Sequence, residues 1–475
     1  MPKDYRTSRI RRLGTFLILL SMITLSLALS GCGGDSGGSN YSITGTILFG
    51  GAPLAGATIT LSGGPSSGVA VTDASGNYSF SGLSSGAYTM TPTLAGYTFV
   101  PPSRGAFLIG NNADGFGFNA TRGSSVSTST HTLYRNSDGT VRAWGLNNKG
   151  QLGDGTTTSS AAHVTVTGLT NVTNVAAGNA HSLALKSDGT VWAWGSNSNG
   201  QLGDGTLIDE LTPVQVSQAS GMTNVTAIAA GFNFSVALRN DGMVFAWGSN
   251  TFGQLGNNTT TDSKTPVAII GGMTAIAAGV DHTVALTAAG VVWTWGNNSK
   301  GQLGNGTLVN SSVPLVAGVG ILTPAVAISA GNQFTVALLN NYLSTWLWAW
   351  GNNNTGQLGN GTNVDVAYPV QVSGLANMTA VASGDNHSIS VKYDGTVWAW
   401  GNNANGQLGD GTTSTRLIPV QVNTLTGVQG ITAGNQDSFA STTAGTVFAW
   451  GDNSFAQLGN GAGPDQLSPV TITLP

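Results

Sequence analysis

A Trp-Gly pair recurs seven times along this chain, at Trp144, Trp194, Trp247, Trp295, Trp350, Trp400 and Trp450, so the sequence repeats itself every 48 to 55 residues. Three positions after each Trp stands an Asn (Asn147, Asn197, Asn250, Asn298, Asn353, Asn403, Asn453). Seven positions after it begins Gln-Leu-Gly, at Gln151, Gln201, Gln254, Gln302, Gln357, Gln407 and Gln457. Nineteen positions after it is Pro in six copies, from Pro213 to Pro469, and His163 in the first. No copy gains or loses a residue across this span. Self-similarity at such a period means stacked supersecondary units, which restricts the fold more than local propensity does.

Each unit reads as four short strands. In the second copy these are Val175–Gly178, His181–Leu185, Val191–Gly195 and Pro213–Val216, with Ser-Asp-Gly closing a hairpin between the middle pair. Pro suits the first residue of an outer strand, where a missing N–H does no harm. Ala-Ala-Gly suits an innermost strand, where blades converge. The reading is all-β: a seven-bladed β-propeller, whose radial repetition keeps strand edges short and protected. Asn and Gly between Trp and Pro provide left-handed backbone and local side-chain hydrogen bonds without any ligand.

These residues resemble the repeat of the regulator of chromosome condensation family. Its second signature, small residues and Gly followed by His-[Ser/Thr], is present as Val175–Leu185, Ile276–Leu286 and Val381–Val391. Copies three, five and seven depart from it, with Phe234, Phe334 and Asp437 at the His position. The resemblance covers about residues 124 to 475 and implies the fold; function separates from fold freely.

Before the repeats, residues 41–122 form a separate unit of period-two strands and turn residues. Pro53-Leu54, Gly56-Ala57, Thr72-Asp73, Tyr78, Phe80, Leu83, Tyr88 and Gly96-Tyr97 are similar to the carboxypeptidase regulatory-like domain. A small β-sandwich is expected, with Tyr78, Phe80, Tyr88 and Tyr97 in its core and Gly115–Arg122 as its last strand. That fold class is sometimes described as carbohydrate-binding-like; the absence of an aromatic platform in the pattern favours a spacer.

The first 31 residues read as a signal peptide. Lys3, Arg6, Arg9, Arg11 and Arg12 precede a 14-residue apolar stretch, Phe16 to Leu29, shorter than the roughly 20 residues of a membrane-spanning helix. Leu29-Ser30-Gly31-Cys32 resembles a bacterial lipoprotein box, which implies cleavage before Cys32 and lipid on its thiol. Cys32 is the sole cysteine, so no internal disulfide framework exists. Gly33 after it favours, by that family's sorting rule, the outer membrane if the organism has one, with the protein facing the periplasm or the cell surface. Residues 32–40 then read as a flexible tether. From Cys32 onward 11 basic residues face 19 acidic ones, a net charge of −8 with no electrostatic footprint for nucleic acid.

No constellation carries catalysis. His131, His181, His282 and His387 share one repeat position. They read either as metal ligands around the channel or, as Phe replacements favour, as strand-starting residues hydrogen-bonded to a neighbouring turn; radial spacing opposes a tetrahedral metal site. Adjacent His and Ser point to opposite strand faces, so they are no nucleophile–base pair. Asp154, Asp204 and Asp410 alternate with Asn305, Asn360 and Asn460, which indicates turns, not calcium binding. Glu210 is the only Glu, leaving few candidates for paired-carboxylate chemistry. The expectation is no enzyme, no cofactor and no metal.

The functional reading is a lipid-anchored binding scaffold, expected to be a monomer, held at the membrane through Cys32 and engaging a protein or a glycan. A structural envelope protein is one alternative. A polysaccharide enzyme lacks its carboxylates. Guanine nucleotide exchange on a small nuclear GTPase, which the family resemblance implies, lacks the nuclear setting and the protruding β-wedge. If the strands alternate in direction, hairpin tips and the variable blade-to-blade connections share one face of the disc, while the length-constant Gln-Leu-Gly loops occupy the other. Loops that vary on a rigid scaffold carry function. Copy five lengthens its hairpin, placing Tyr342 and Trp346 at or near the tip as candidate ligand contacts; alternatively Trp346 continues the Trp348–Trp350 stripe.

Overall fold

A computed structural model describes residues 40–49, 52–93, 98–100, 104–108, 112–121, 126–318, 320, 322, 324–340, 344–442 and 445–474. The leader, Cys32, most of the tether, Tyr97 and Tyr342 lie outside the described residues. Within the described residues every regular element is a strand.

The N-terminal part packs two sheets face to face. One contains Tyr41–Phe49, Ala52–Pro53, Asn77–Leu83, Thr98–Val100 and Phe118–Thr121; the other runs Gly68–Val71, Thr58–Ser62, Gly86–Thr93, Arg104–Leu108. Alternation sends Ile43, Ile47, Ile59, Leu61, Tyr78, Phe80, Tyr88 and Phe118 into one buried core. Burying a tyrosine requires a partner for its hydroxyl. Tyr78 donates to the Phe116 carbonyl at 2.7 Å and Tyr88 to that of Ser84 at 3.0 Å.

From Val126 onward the polypeptide forms seven four-stranded sheets, each from consecutive strands in sequence order. In the second blade these are Val172–Ala177, His181–Lys186, Val191–Gly195 and Glu210–Gln215, all antiparallel. The proline therefore lies inside the outer strand instead of opening it: Pro213 is the fourth residue of Glu210–Gln215. The edge position still accommodates the missing N–H, and a register shift between Ala193 and Gly195 accompanies it. Val126–Thr128, despite lacking Ala-Ala-Gly, forms the inner strand of blade one. Among the described residues no strand is exchanged between the ends of the ring; blades one and seven are each built from their own segment.

The repeat Trp accounts for how the blades hold together. Trp194 of blade two packs with Leu133, Val141, Ala143, Leu152 and Val166 of blade one. Trp144 of blade one does the same with Phe439, Val447, Ala449, Leu458 and Ile472 of blade seven, closing the ring with the geometry used elsewhere. All seven indoles are buried. The Gly of Gln-Leu-Gly makes room for them: a Cβ at Gly153, where φ is 68°, would lie 2.7 Å from Trp194 Nε1.

Candidate binding faces

Alternating strand direction gives the disc two unlike faces. On one lie the turns joining first to second strands and the long loops joining third to fourth. In those loops most of the recurrent polar side chains are satisfied internally; the exceptions among the described residues include the buried Nε2 atoms of Gln201 and Gln302, which have no partner. Asn353 donates through Nδ2 to Asn360 Oδ1 (3.1 Å) and Thr362 O (3.0 Å), and its Oδ1 accepts from the Leu358 N–H at 3.0 Å. Gln357 Oε1 accepts from the Thr355 N–H at 3.0 Å. Asp154 caps its own turn, accepting from Thr156 N (3.0 Å) and Asn147 Nδ2 (3.2 Å). The recurrent Asn and the Gln Oε1 atoms are thus consumed in building the loop.

The Gln backbone carbonyl is gripped by the following blade. Gln201 O accepts from Trp247 Nε1 at 2.9 Å and from Ser235 Oγ at 2.9 Å. Gln457 O accepts from Trp144 Nε1 and Thr132 Oγ1 of blade one, both at 2.7 Å. Trp295 differs: its Nε1 has no hydrogen-bond partner among the described residues, and Gln254 O takes Thr283 Oγ1, at 2.8 Å.

The repeat-position histidines do begin strands, but they do not bond the neighbouring turn. Each reaches into the next blade: His131 Nε2 to Ser182 Oγ (2.7 Å), His181 to Ser235 (3.0 Å), His282 to Thr335 (3.0 Å) and His387 to Ser438 (2.9 Å). Those hydroxyls already donate to Gln carbonyls, so the imidazole donates and Nε2 carries its proton. Burial lowers His131 and His282 from 6.5 to about 3, with the proximity of His181 adding to the effect at His131. Burial likewise holds His181 and His387 at about 4. A His–Ser contact therefore exists between blades, though not within a strand. It is fully buried, and its serine proton is committed to a carbonyl. Among the described residues no three His, Cys, Asp or Glu cluster to hold a metal.

Inner strands surround a narrow axial cavity of about 100 Å³, lined mainly by Ala, Gly and Asn, with Phe232 and Asp385 also in its wall. Burial pushes the Asp385 carboxyl up to about 7. Nothing in its local sequence, Gly384-Asp385-Asn386, sets it apart, because the effect arises from convergence of seven strands.

The opposite face carries the hairpin tips and blade-to-blade connections. The long hairpin of blade five adds paired residues: its strands are Phe334–Asn340 and Thr345–Gly351, with Leu339 opposite Trp346 and Asn340 opposite Thr345. Trp346 is thus part of a lengthened ladder, on the same strand face as Trp348 and Trp350, and remains half-buried. The extension docks on blade six, where the Asn377 N–H donates to Thr345 O at 3.0 Å. Asn377 O in turn accepts from the Tyr393 N–H at 2.9 Å. Tyr393, 72% exposed at the tip of blade six, is therefore brought beside the Trp346 strand. The sequence signal for it is positional: Tyr stands where other tips carry Ser187 or Asn240.

The family model for the RCC1-like domain matches residues 162–475. The protein belongs to the RCC1-like domain family. Within it, residues 138–185 match the regulator of chromosome condensation repeat, and residues 42–101 match the carboxypeptidase regulatory-like domain. Among solved structures, Prp20p of Saccharomyces cerevisiae, described with its binding properties to Gsp1p and histones, superposes on this RCC1-like propeller with a TM-score of 0.63. It is 24% identical, over 74% of this chain and 88% of its own. Human E3 ubiquitin-protein ligase HERC2 is 32% identical over 182 residues, 36% of the present sequence. Chitinase ChiA of Flavobacterium johnsoniae is 36% identical over 87 residues, 18% of the present sequence. The match spans only 4% and 5% of the lengths of HERC2 and ChiA respectively.

Proposed function

We propose that this RCC1-like protein is a non-catalytic protein-binding scaffold, anchored outside the cytoplasm by lipid on Cys32, with its partner on the hairpin face. One observation carries the choice of face: the recurrent Asn side chains and Gln Oε1 atoms of the opposite loops are used up in internal hydrogen bonds, as at Asn353 and Gln357, and the Gln Nε2 groups left over at Gln201 and Gln302 are buried. On the hairpin face Trp346 and Tyr393 offer rigid amphipathic surface instead, the kind of anchor that dominates interface energetics. The described protein contacts of Prp20p support a protein partner over a glycan.

The test uses a fragment beginning at Asn40 as bait in an envelope extract. Tyr342→Ala, Trp346→Ala and Tyr393→Ala together should abolish capture of the protein retained by the parent, with an unchanged melting temperature. Retained capture by the triple variant refutes the assignment of the face, and elution by free sugar identifies a glycan ligand instead.

A further inference from the structure

Six of the seven long loops lock onto the next blade through one backbone hydrogen bond. It runs from the residue eleven positions after the repeat Trp to the outer strand of the following blade. The donors and acceptors are Gly155 to Leu211 O (3.0 Å), Gly205 to Lys264 O (2.9 Å), Asn258 to Ser312 O (2.8 Å), Gly306 to Ala367 O (3.0 Å), Gly361 to Leu417 O (2.9 Å) and Gly411 to Leu467 O (2.9 Å). The seventh, from Gly461 to Ala161 of blade one, is not formed among the described residues.

A methyl group explains the gap. Six positions after each Trp the other blades carry Gly, pressed against that same outer strand. A Cβ at Gly356 would fall 2.6 Å from Leu417 Cδ2 and 2.8 Å from Leu417 Cα; at Gly301 it would fall 2.5 Å from Ala367 Cα. Blade seven has Ala456 there, in the left-handed region at φ 59°. A methyl group here stands where the other seams have only hydrogen against the outer strand, and this is the seam that, among the described residues, lacks the hydrogen bond.

The freed amide belongs to an Asn-Gly pair. Asn305-Gly306, Asn360-Gly361 and Asn460-Gly461 occupy the same loop position. In the first two, the carboxamide is also held by Thr307 and Thr362, whose hydroxyls donate to Oδ1 at 2.9 Å. Blade seven has Ala462 in place of that Thr, and among the described residues Asn460 Oδ1 keeps Asn453 Nδ2 alone, at 3.1 Å. Asn460 is exposed, whereas Asn305 and Asn360 are half-buried. The remaining Asn-Gly pairs have tied amides: Gly200 N donates to Asn197 O at 2.9 Å and Gly406 N to Asn403 O at 3.0 Å.

We infer that Asn460 is a site of self-modification by deamidation, selected over the other four Asn-Gly pairs by the Ala456 wedge. The Gly461 backbone nitrogen, losing its proton, attacks Asn460 Cγ; the Cγ–Nδ2 bond breaks and ammonia leaves. Water then opens the resulting succinimide at either carbonyl, giving aspartate or isoaspartate. Aspartate fits the loop, because Asp154, Asp204 and Asp410 already stand at this position and accept the same bond from the loop Asn Nδ2. Isoaspartate inserts a carbon into the backbone and loosens the seam.

The experiment is incubation of the folded protein at mildly alkaline pH, with peptide mapping by mass spectrometry and enzymatic methylation of isoaspartate. Asn460 should convert roughly five- to tenfold faster than Asn305 or Asn360, the factor one lost hydrogen bond supplies. Ala456→Gly should slow Asn460, Ala456→Gly with Ala462→Thr should bring it down to their rate, and Gly356→Ala should speed Asn360. In the denatured protein all five pairs should react alike. Equal rates at Asn305, Asn360 and Asn460 in the folded state, or an Asn460 rate unmoved by Ala456→Gly, overturn the inference.

Discussion

Replacing His181 by Phe should make the propeller more resistant to acid. In the folded state His181 is neutral, with its pKa lowered by burial to about 4; in the unfolded state it is near 6.5. The unfolded state therefore binds more protons between those values. The stability that depends on the neutral imidazole is complete above about pH 6.5 and is lost as pH falls toward 4. At about pH 5 each such histidine costs about 2 kcal/mol, and four cost about 8 kcal/mol. Asp385 works in the opposite sense. Its carboxyl is raised to about 7 by burial, so protonation on acidification relieves a cost and returns about 2 kcal/mol over the same range. A net loss of about 6 kcal/mol is a large share of the roughly 5–15 kcal/mol typical of domains. Phe is the informative replacement because blades three and five already use it: Phe234 and Phe334 pack over Gly231 and Gly331 as His181 packs over Gly178. Ser235 keeps its bond to Gln201 O, as Thr283 and Ser388 do to their own Gln carbonyls beside Phe. Guanidinium unfolding, followed by fluorescence of the buried indoles, should show the parent losing more stability than His181→Phe between about pH 7.5 and pH 5. The variant should recover about 2 kcal/mol of that loss. Identical pH dependence in the two proteins would show that the imidazole is not buried neutral, and the inter-blade contact would have to be abandoned.

Trp247→Phe should destabilise by about 1 kcal/mol more than Trp295→Phe, since only Trp247 loses a hydrogen bond, to Gln201 O; equal losses in denaturant titrations would count against it. Truncating either residue to Ala should cost about 3–5 kcal/mol, and a parent-like melting temperature would remove that Trp from the core. Metabolic palmitate labelling should mark the full-length protein and vanish in Cys32→Ala. An unlabelled parent, or a mature N-terminus elsewhere, defeats the proposed anchoring.

The architecture is legible because the constraint on it is local and repeated. Trp-Gly and Gln-Leu-Gly recur at fixed spacing in every blade and the outer-strand Pro in six, and each fills the same place wherever it occurs. The His position is harder to read. Its partner is a hydroxyl about 50 residues away on the next blade, such as Ser182 for His131, so neither the adjacent Ser nor a nearby turn indicates the bond. Replacement by Phe is the available hint, since both rings fill one slot. Counting extra residues puts Trp346 at or near a loop tip, but counting does not say whether an insertion widens a turn or prolongs a ladder. Leu339 opposite Trp346 decides for the ladder. Tyr393 and Asp385 are not legible in their own segments, because their significance comes from neighbouring blades.

The indole of each blade completes the apolar core of the blade preceding it, as Trp194 does for Leu133 and Val141. On a ribosome the blades emerge in that order, so every finished blade waits for the next to cover it. The wait is short for blades one to six. Trp144, made first, has its pocket of Phe439, Leu458 and Ile472 made last. An incomplete nascent propeller therefore shows two apolar ends at once, one awaiting a wedge and one offering it. Such ends fit each other between molecules as well as within one, so premature termination should yield head-to-tail oligomers in place of a smaller soluble ring.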